Sequence, residues 1–307
     1  MQTALITHAA CLGHDMGAQH PECPARLAAI EDRLIAVGLT PLLARFDAPL
    51  ATPEQLERVH PADYIDAIEA AAPAKGLIHL DPDTAMSPGT WEASLRAAGA
   101  AVLATDLVIG KKVANAFCSV RPPGHHAMRA RSMGFCLFNN VAVGIMHAIE
   151  HHGLKRVAVI DFDVHHGNGT EDIFSGDERV LMVSTFQHPF YPYSGTGAVA
   201  ANMLNIPLPA GSGSGPFRKA VDDDWMPALT AFAPEMIFIS AGFDAHADDD
   251  MAMLRFADAD YRWVTERLMG VATRFSAGRI VSILEGGYDL PALGRSAEQH
   301  VRALAGL

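Results

Sequence analysis

Short runs of apolar, β-branched residues recur along the chain: TALIT (3–7), NAFCSV (115–120), RVAVI (156–160), RVLMVS (179–184), EMIFIS (235–240) and RIVSIL (279–284). Their hydrophobicity is continuous rather than alternating, which is the pattern of strands covered on both faces of a parallel sheet. The segments between them change period. Residues 24–37 place Leu27, Ile30, Leu34 and Val37 on one helical face, with Pro24 at the start and Gly38 just past the end. Residues 140–152 run from Asn139 as an N-cap to Gly153 as the residue after the helix. Residues 216–232, 258–274 and 291–305 also read as helix, and GSGSG (211–215) is a surface loop after the strand-like LNIPL. Strands alternating with helices predict an α/β fold with a central parallel sheet flanked by helices.

The strand ends say more than the strands. NAFCSV runs into RPPGHHA, RVAVI into DFDVHHGNG, RVLMVS into TFQHP, EMIFIS into AGFDAH, and RIVSIL into EGGYDL. Polar, chemistry-bearing residues thus follow the carboxyl ends of five strands, the edge where parallel α/β sheets bind ligands. The densest stretch, DFDVHHGNGT (161–170), drives a buried strand into two carboxylates and two imidazoles. Burying such groups is costly unless they are paired or hold a metal. Asp161, Asp163 and His165 alternate with period two, and Asp244 on another strand could complete a set of three. Three carboxylate and imidazole ligands with open positions describe a catalytic divalent-metal site. Spacing alone leaves open whether Asp161 or Asp163 is the ligand.

Other polar clusters read as ordinary surface. EHHG (150–153) is the solvated end of a helix. DDD (222–224) and ADDD (247–250) are solvated charge runs. His8, His14, His20 and His60 are taken as structural.

Composition narrows the picture further. The 307 residues are 50% hydrophobic and 19% charged, with a formal net charge of −12. Such an acidic chain is not a dedicated nucleic-acid binder. Cys11, Cys23, Cys118 and Cys136 show no CxxC spacing, which favours reduced thiols and a cytoplasmic setting. The opening MQTALITHAACLGHD lacks the basic segment of a signal peptide, and no run is long enough to span a bilayer, so no membrane partner is expected. No repeat or composition shift marks a boundary, so residues 1–307 are expected to form a single catalytic domain. Whether copies associate stays open.

Six segments in order, HPECPARL (20–27), RPPGHHA (121–127), GFCLFNN (134–140), DFDVHHGNGT (161–170), SAGFDAH (240–246) and EGGYDL (285–290), resemble the histone deacetylase and acetylpolyamine amidohydrolase family. RPPGHHA, with Asn168 where another branch carries Asp, is similar to the class II side and its bacterial relatives. The resemblance implies an arginase/deacetylase-like fold with the active site at the carboxyl ends of the strands. It implies that Asp163, His165 and Asp244 ligate one Zn²⁺, with Fe as the other candidate metal. It further implies that Asp161 orients His125, that Asn168 pairs with His126, and that Asp161 and Ser184 help to hold a structural K⁺. His126 would then be the general base and acid acting on metal-activated water, His125 an electrostatic helper, and Tyr288 an oxyanion donor. Gly134 and Phe135 would line an acyl-amine tunnel, Asp83 its rim, and Arg26 the channel beneath the metal. The second wall falls to Tyr193 or Tyr191, because FQHPFYPYSGTG (186–197) departs from the shorter family pattern. Met251 stands where polyamine-selective relatives carry a glutamate.

The implied activity is removal of acetyl or other acyl groups from acylated lysine or related small amines. The alternatives are an acetylpolyamine amidohydrolase, a dinuclear ureohydrolase on the same fold, and a catalytically inactive acyl-lysine binder. The His pair and Tyr288, all retained, weigh against the last two.

Overall fold

In the computed structural model, which describes residues 1–307, the six apolar runs are strands of one sheet. In chain order the strands are β1 (Ala4–Thr7), β2 (Ala44–Asp47), β3 (Ile78–His79), β4 (Ala85–Met86), β5 (Ala116–Cys118), β6 (Val157–Asp161), β7 (Val180–Gln187), β8 (Met203–Leu208), β9 (Met236–Ala241) and β10 (Ile280–Leu284). Eight of them form an all-parallel sheet in the order β2-β1-β5-β10-β9-β6-β7-β8, while β3 and β4 make a separate antiparallel pair. The helices are α1 (Ala25–Ala36), α2 (Pro53–Glu57), α3 (Ala62–Ala71), α4 (Thr90–Ile109), α5 (Asn140–Glu150), α6 (Asn168–Phe174), α7 (Ser214–Ala220), α8 (Met226–Phe232), α9 (Asp258–Phe275) and α10 (Leu290–Ala305). None of them is long and apolar enough to cross a membrane.

Pleat and register show how the two faces are covered. Ser282 on β10 lies 2.8 Å from His300 of α10. The preceding residue, Val281, is in register with Phe238 of β9. Phe238 packs against Gly144 of α5. Successive strand residues point to opposite faces, so α1, α9 and α10 pack on one side and α4 and α5 on the other. Both sides being covered, every residue of β6, β7, β9 and β10 is buried, which is why their sequences are apolar without alternation.

Three differences from the sequence pattern have physical causes. The longest helix, α4, has no polar face for periodicity to reveal; twelve of its twenty residues are buried and most are small. β7 runs three residues past the expected 179–184 because its partner β8 pairs with it as far as Gln187. The helix expected over 216–232 is interrupted by a wide π turn, Val221–Trp225. Pro227 follows the turn and has no N–H to continue an α-helical ladder.

His300 ties the layers on the α10 side together. Its Nδ1 lies 2.6 Å from Thr265 Oγ1 of α9, and its Nε2 faces Ser282. Burial lowers its pKa to about 3. An unfolded imidazole takes up a proton near pH 6.5. As pH falls from 6.5 toward 3, the unfolded chain therefore binds a proton that the folded chain refuses, and stability is lost by up to about 1.4 kcal/mol per pH unit. Urea unfolding of His300→Gln should show a loss between pH 6.5 and 5 smaller than that of the parent by about 1–2 kcal/mol. Equal losses would show that His300 does not carry this term.

Candidate active site

Loops at the carboxyl ends of β5, β6, β7, β9 and β10 converge on one pocket of about 200 Å³. β6 ends on Asp161, and the loop that follows turns Asp163 and His165 toward Asp244, beyond β9. One ligand-type atom from each of Asp163, His165 and Asp244 lies within 4.8 Å of the other two. Asp163 Oδ1 is 3.0 Å from His165 Nδ1, and Asp163 Oδ2 accepts the Gly286 N–H at 2.8 Å. Asp244 Oδ1 accepts the Val164 N–H at 2.9 Å. Asp244 Oδ2, 3.2 Å from His165 Nδ1, has no hydrogen-bond donor although it is buried. A Cβ on Gly286 would fall on the carboxylates of Asp244 and Asp163, so only glycine lets the backbone close over them here. Asp161 stands apart from this group: its Oδ2 lies 3.0 Å from His125 Nδ1.

The electrostatics of the three residues call for positive charge. Burial, reinforced by the charge of Asp163, pushes Asp244 up to about 7. Burial works the same way on Asp163, but the charges and hydrogen bonds of His125 and His165 hold its carboxyl well below the usual range. Burial opposes charging His165, yet the carboxylates of Asp163 and Asp244 beside it raise it to about 9. An orphaned carboxylate oxygen, a second carboxylate and an imidazole nitrogen, grouped within 4.8 Å where His165 meets the pocket, fit a divalent cation with free positions.

His125 and His126 sit side by side, ring centroids 4.0 Å apart, on the loop after β5. Their Nδ1 atoms have different partners: Asp161 for His125, and Asn168 Oδ1 at 2.7 Å for His126. Burial disfavours charge on both rings, but Asp163 and Asp161 raise His125 well above the ordinary imidazole value. His126 lacks such help; burial and its cationic neighbours hold it well below that value. The pair is thus split into one charged and one neutral ring. Glu285 braces the loop, accepting the N–H groups of Gly124 (2.7 Å) and His125 (3.1 Å). Burial raises its carboxyl to about 7.

Tyr288 closes the opposite side. Burial and the charge of Asp244 raise its phenol well above the usual value, so it keeps its proton at neutral pH. Arg26 lies 4.9 Å from the Tyr288 ring centre and donates from Nε to the Gly287 carbonyl at 2.6 Å. Glu22 holds Arg26 in turn, and is itself gripped by both Nε and Nη2 of Arg121, at 2.5 and 2.6 Å. The Tyr288 backbone N–H donates to Asp249 Oδ2 at 2.6 Å, the Asp289 N–H donates to the same oxygen at 3.0 Å, and Met251 N–H to Oδ1 at 2.9 Å. Asp249 therefore fixes both the tyrosine and the Met251 wall. The sequence reading missed it by treating 247–250 as a solvated run. Nothing local separates Asp249 from Asp248 and Asp250; its burial comes only from the tertiary fold.

Phe135, Gly134, Asp83 and Met251 all line the pocket. Phe135 stands edge-on to Tyr288, and Asp83 Oδ1 accepts the Gly134 N–H at 3.1 Å. Gly134 needs its positive φ of 57°, and a side chain there would strike the His126 ring. Tyr193 requires a correction. It is 75% exposed and does not reach the pocket. Phe190 and Tyr191 form that wall, Phe190 stacked on His165 and Tyr191 edge-on to His126. The Tyr193 N–H closes a turn onto the Phe190 carbonyl at 2.7 Å, and the reversal sends Tyr193 outward. Ser184 is in register with Asp161 across β7 and β6, and its Oγ lies 3.0 Å from Asn205 Oδ1.

With this geometry in place, comparison with known proteins gives one answer. The model of the histone deacetylase domain matches residues 20–304. The chain belongs to the histone deacetylase family. It is 39% identical to histone deacetylase 14, chloroplastic, of Arabidopsis thaliana, over 97% of this chain and 75% of that protein. It is 39% identical to the histone deacetylase-like amidohydrolase of Pseudomonas aeruginosa, over 91% of this chain and 74% of that one. The crystal structure of the HDA15 HD domain superposes with a TM-score of 0.94 at 33% identity, covering 99% of this chain and 88% of that one. The sheet and flanking helices are accordingly the arginase/deacetylase-like fold. The family supports a deacetylase or amidohydrolase activity on acylated substrates, and such domains are in general metal-dependent.

Asp249→Ala removes the acceptor of three backbone N–H groups that place Tyr288 and Met251. A displacement of about 1 Å in a reacting geometry can cost 100-fold. Deacetylase kcat should fall by about 10- to 100-fold with KM changed much less, and Asp249→Asn, which keeps one acceptor, should fall between. An Asp249→Ala enzyme with parental kcat would show that the loop holds without it.

Proposed function

We propose that this chain is a zinc-dependent deacylase that cleaves the amide of acylated lysine or a related linear acyl-amine. The observation that carries the reading is the grouping of Asp163, His165 and Asp244 at a pocket lined by His165, the split histidine pair, Gly286 and Tyr288. Zn²⁺ held by those three residues would supply Lewis acidity, polarising the amide carbonyl and making water nucleophilic near neutral pH.

The remaining work falls to the chain's own side chains. His126 is neutral and hydrogen-bonded through Nδ1 to Asn168, so it can take a proton from water and return it to the leaving amine. Neutral Asn168 steers the ring without adding the negative charge that would hold a proton there. His125, kept charged by Asp163 and Asp161, stabilises developing negative charge from the same side. Tyr288, with its proton retained, donates to the oxyanion, a role worth about 3 kcal/mol. Phe135, Phe190, Tyr191 and Met251 enclose a linear acyl-amine and exclude water. Asp161, with Ser184 beside it in register, would help to hold a structural K⁺. Four free cysteines suit a reducing setting such as the cytoplasm, and residues 1–307 act as one catalytic domain.

A second reading, an acetylpolyamine amidohydrolase, has one observation in its favour. Asp248, Asp249 and Asp250 border a hollow next to Met251 and Tyr288, where a second ammonium could rest. Asp249 is already committed to backbone N–H groups, and Asp248 pairs with Arg295 at 2.7 Å. That leaves Asp250 alone, against the apolar Met251 at the pocket itself. The expected order is therefore higher kcat/KM for an acetyl-lysine peptide than for acetylputrescine or acetylspermidine at physiological salt. Tyr288→Phe should lower kcat on the preferred substrate by about two to three orders of magnitude while metal content is kept. A polyamine preference that survives added salt would overturn the substrate assignment, and an unchanged kcat in Tyr288→Phe would overturn the role of the tyrosine.

A further inference from the structure

At the far end of α4 and α5, away from the pocket, four ligand-type side chains meet. Asp106 of α4 faces His147 of α5, together with His151 and His152 just beyond the end of α5. One atom from each lies within 4.8 Å of all the others. His147 Nε2 and His152 Nε2 both point at the same oxygen, Asp106 Oδ1, at 2.8 and 2.7 Å. The His151 ring stacks on His147, 4.7 Å away and 11° from parallel, and stands edge-on to His152 at 4.8 Å. Hydrogen bonding explains the positions of Asp106, His147 and His152. His151 is exposed and makes no side-chain hydrogen bond within the protein; what places it in the group is its stack on His147.

We propose that Asp106, His147, His151 and His152 form a second divalent transition-metal site, of the Zn²⁺ class, that fastens the end of α5 to α4. His147 and His151 are four residues apart and share a helix side, so both can address one ion. Three imidazoles and one carboxylate are a donor set suited to zinc in a tetrahedral arrangement.

The hydrogen positions define how the site would fill. Arg58 Nη1 lies 2.8 Å from His147 Nδ1. A guanidinium only donates, so Nδ1 carries the lone pair and the ring hydrogen sits on Nε2, directed at Asp106. For Nε2 to ligate, that hydrogen must move to Nδ1 through solvent. His152, whose Nε2 also points at Asp106, makes the same exchange. On His147 the new N–H would face the Arg58 donor, so Arg58 must turn away. Arg58 is thus a competitor for the metal.

The test is calorimetric titration of the full chain with ZnCl₂, with bound metal counted by elemental analysis. The parent should bind one equivalent more than the His151→Ala/His152→Ala variant. That variant should keep the parental kcat on an acetyl-lysine peptide, since neither residue is near the pocket. The difference in equivalents reads this cluster whether or not the pocket binds zinc, so it stands apart from the proposed deacylase reading. Arg58→Ala should tighten the additional equivalent several-fold. Equal stoichiometry in parent and double variant would overturn the site, and unchanged or weaker binding in Arg58→Ala would overturn His147 as a ligand.

Discussion

Asp161, Asp163, Asp244 and Glu285 are each no more than 1% exposed, within one set of strand ends. So much negative charge held away from water is the constraint around which the structure is arranged. Each carboxylate needs donors or cations, and the donors come from separate loops: Gly286 for Asp163, Val164 for Asp244, Gly124 and His125 for Glu285. The need to satisfy them fixes the relative positions of the loops after β5, β6, β9 and β10. One oxygen, on Asp244, is left without a donor, 3.2 Å from the Nδ1 of His165, which lines the pocket. A bound divalent cation would offset the remaining charge, which is why the same atoms that threaten the fold can define its chemistry.

A second buried charge system supports the first from outside. Glu22 lies between Arg26, Arg121 and His14, all removed from water. Arg26 continues from this ion pair to the carbonyls of Glu285 and Gly287, on either side of Gly286. The loop carrying Tyr288 is therefore held from below by Arg26 and from the side by Asp249. Removing one partner of a buried ion pair leaves an uncompensated charge, at a cost of about 3–5 kcal/mol. These residues touch no substrate, yet the position of the tyrosine rests on them.

Much of this was legible in the chain. Continuous apolar runs identified six of the eight strands of the main sheet; of the polar segments past five of them, those after β5, β6 and β10 reach the pocket and the one after β9 supplies Asp244, while TFQHP (185–189) lies mostly within β7 and only the next residues, Phe190 and Tyr191, line it. The short edge strand β2 was missed because it is only half covered, and α4 because a helix buried on nearly all sides has no amphipathic stripe. The Asp161 and Asp163 alternative could not be resolved by a period of two, since the chain leaves strand geometry after Asp161. The resemblance named Asp163, and the structure groups Asp163 with His165 and Asp244. Tyr193 was misplaced by a turn whose closing hydrogen bond no composition reveals. Asp249 was read as solvated because a run of like residues does not say which member the fold turns inward, whereas EHHG (150–153) does end a helix at the surface, with His151 exposed.

The compensation of buried charge can be measured on the purified chain. Divalent ions are stripped with a chelator, and thermal unfolding is followed as Zn²⁺ is returned, in the parent and in Asp244→Asn. Binding to the folded state alone raises stability by about 2.7 kcal/mol at 100 times Kd. The parent should gain Tm and regain deacetylase activity together. Asp244→Asn should recover no activity and gain clearly less Tm, retaining only what other zinc sites contribute. Full activity in the stripped parent, or an identical Tm gain in both proteins, would contradict a cation held by Asp163, His165 and Asp244.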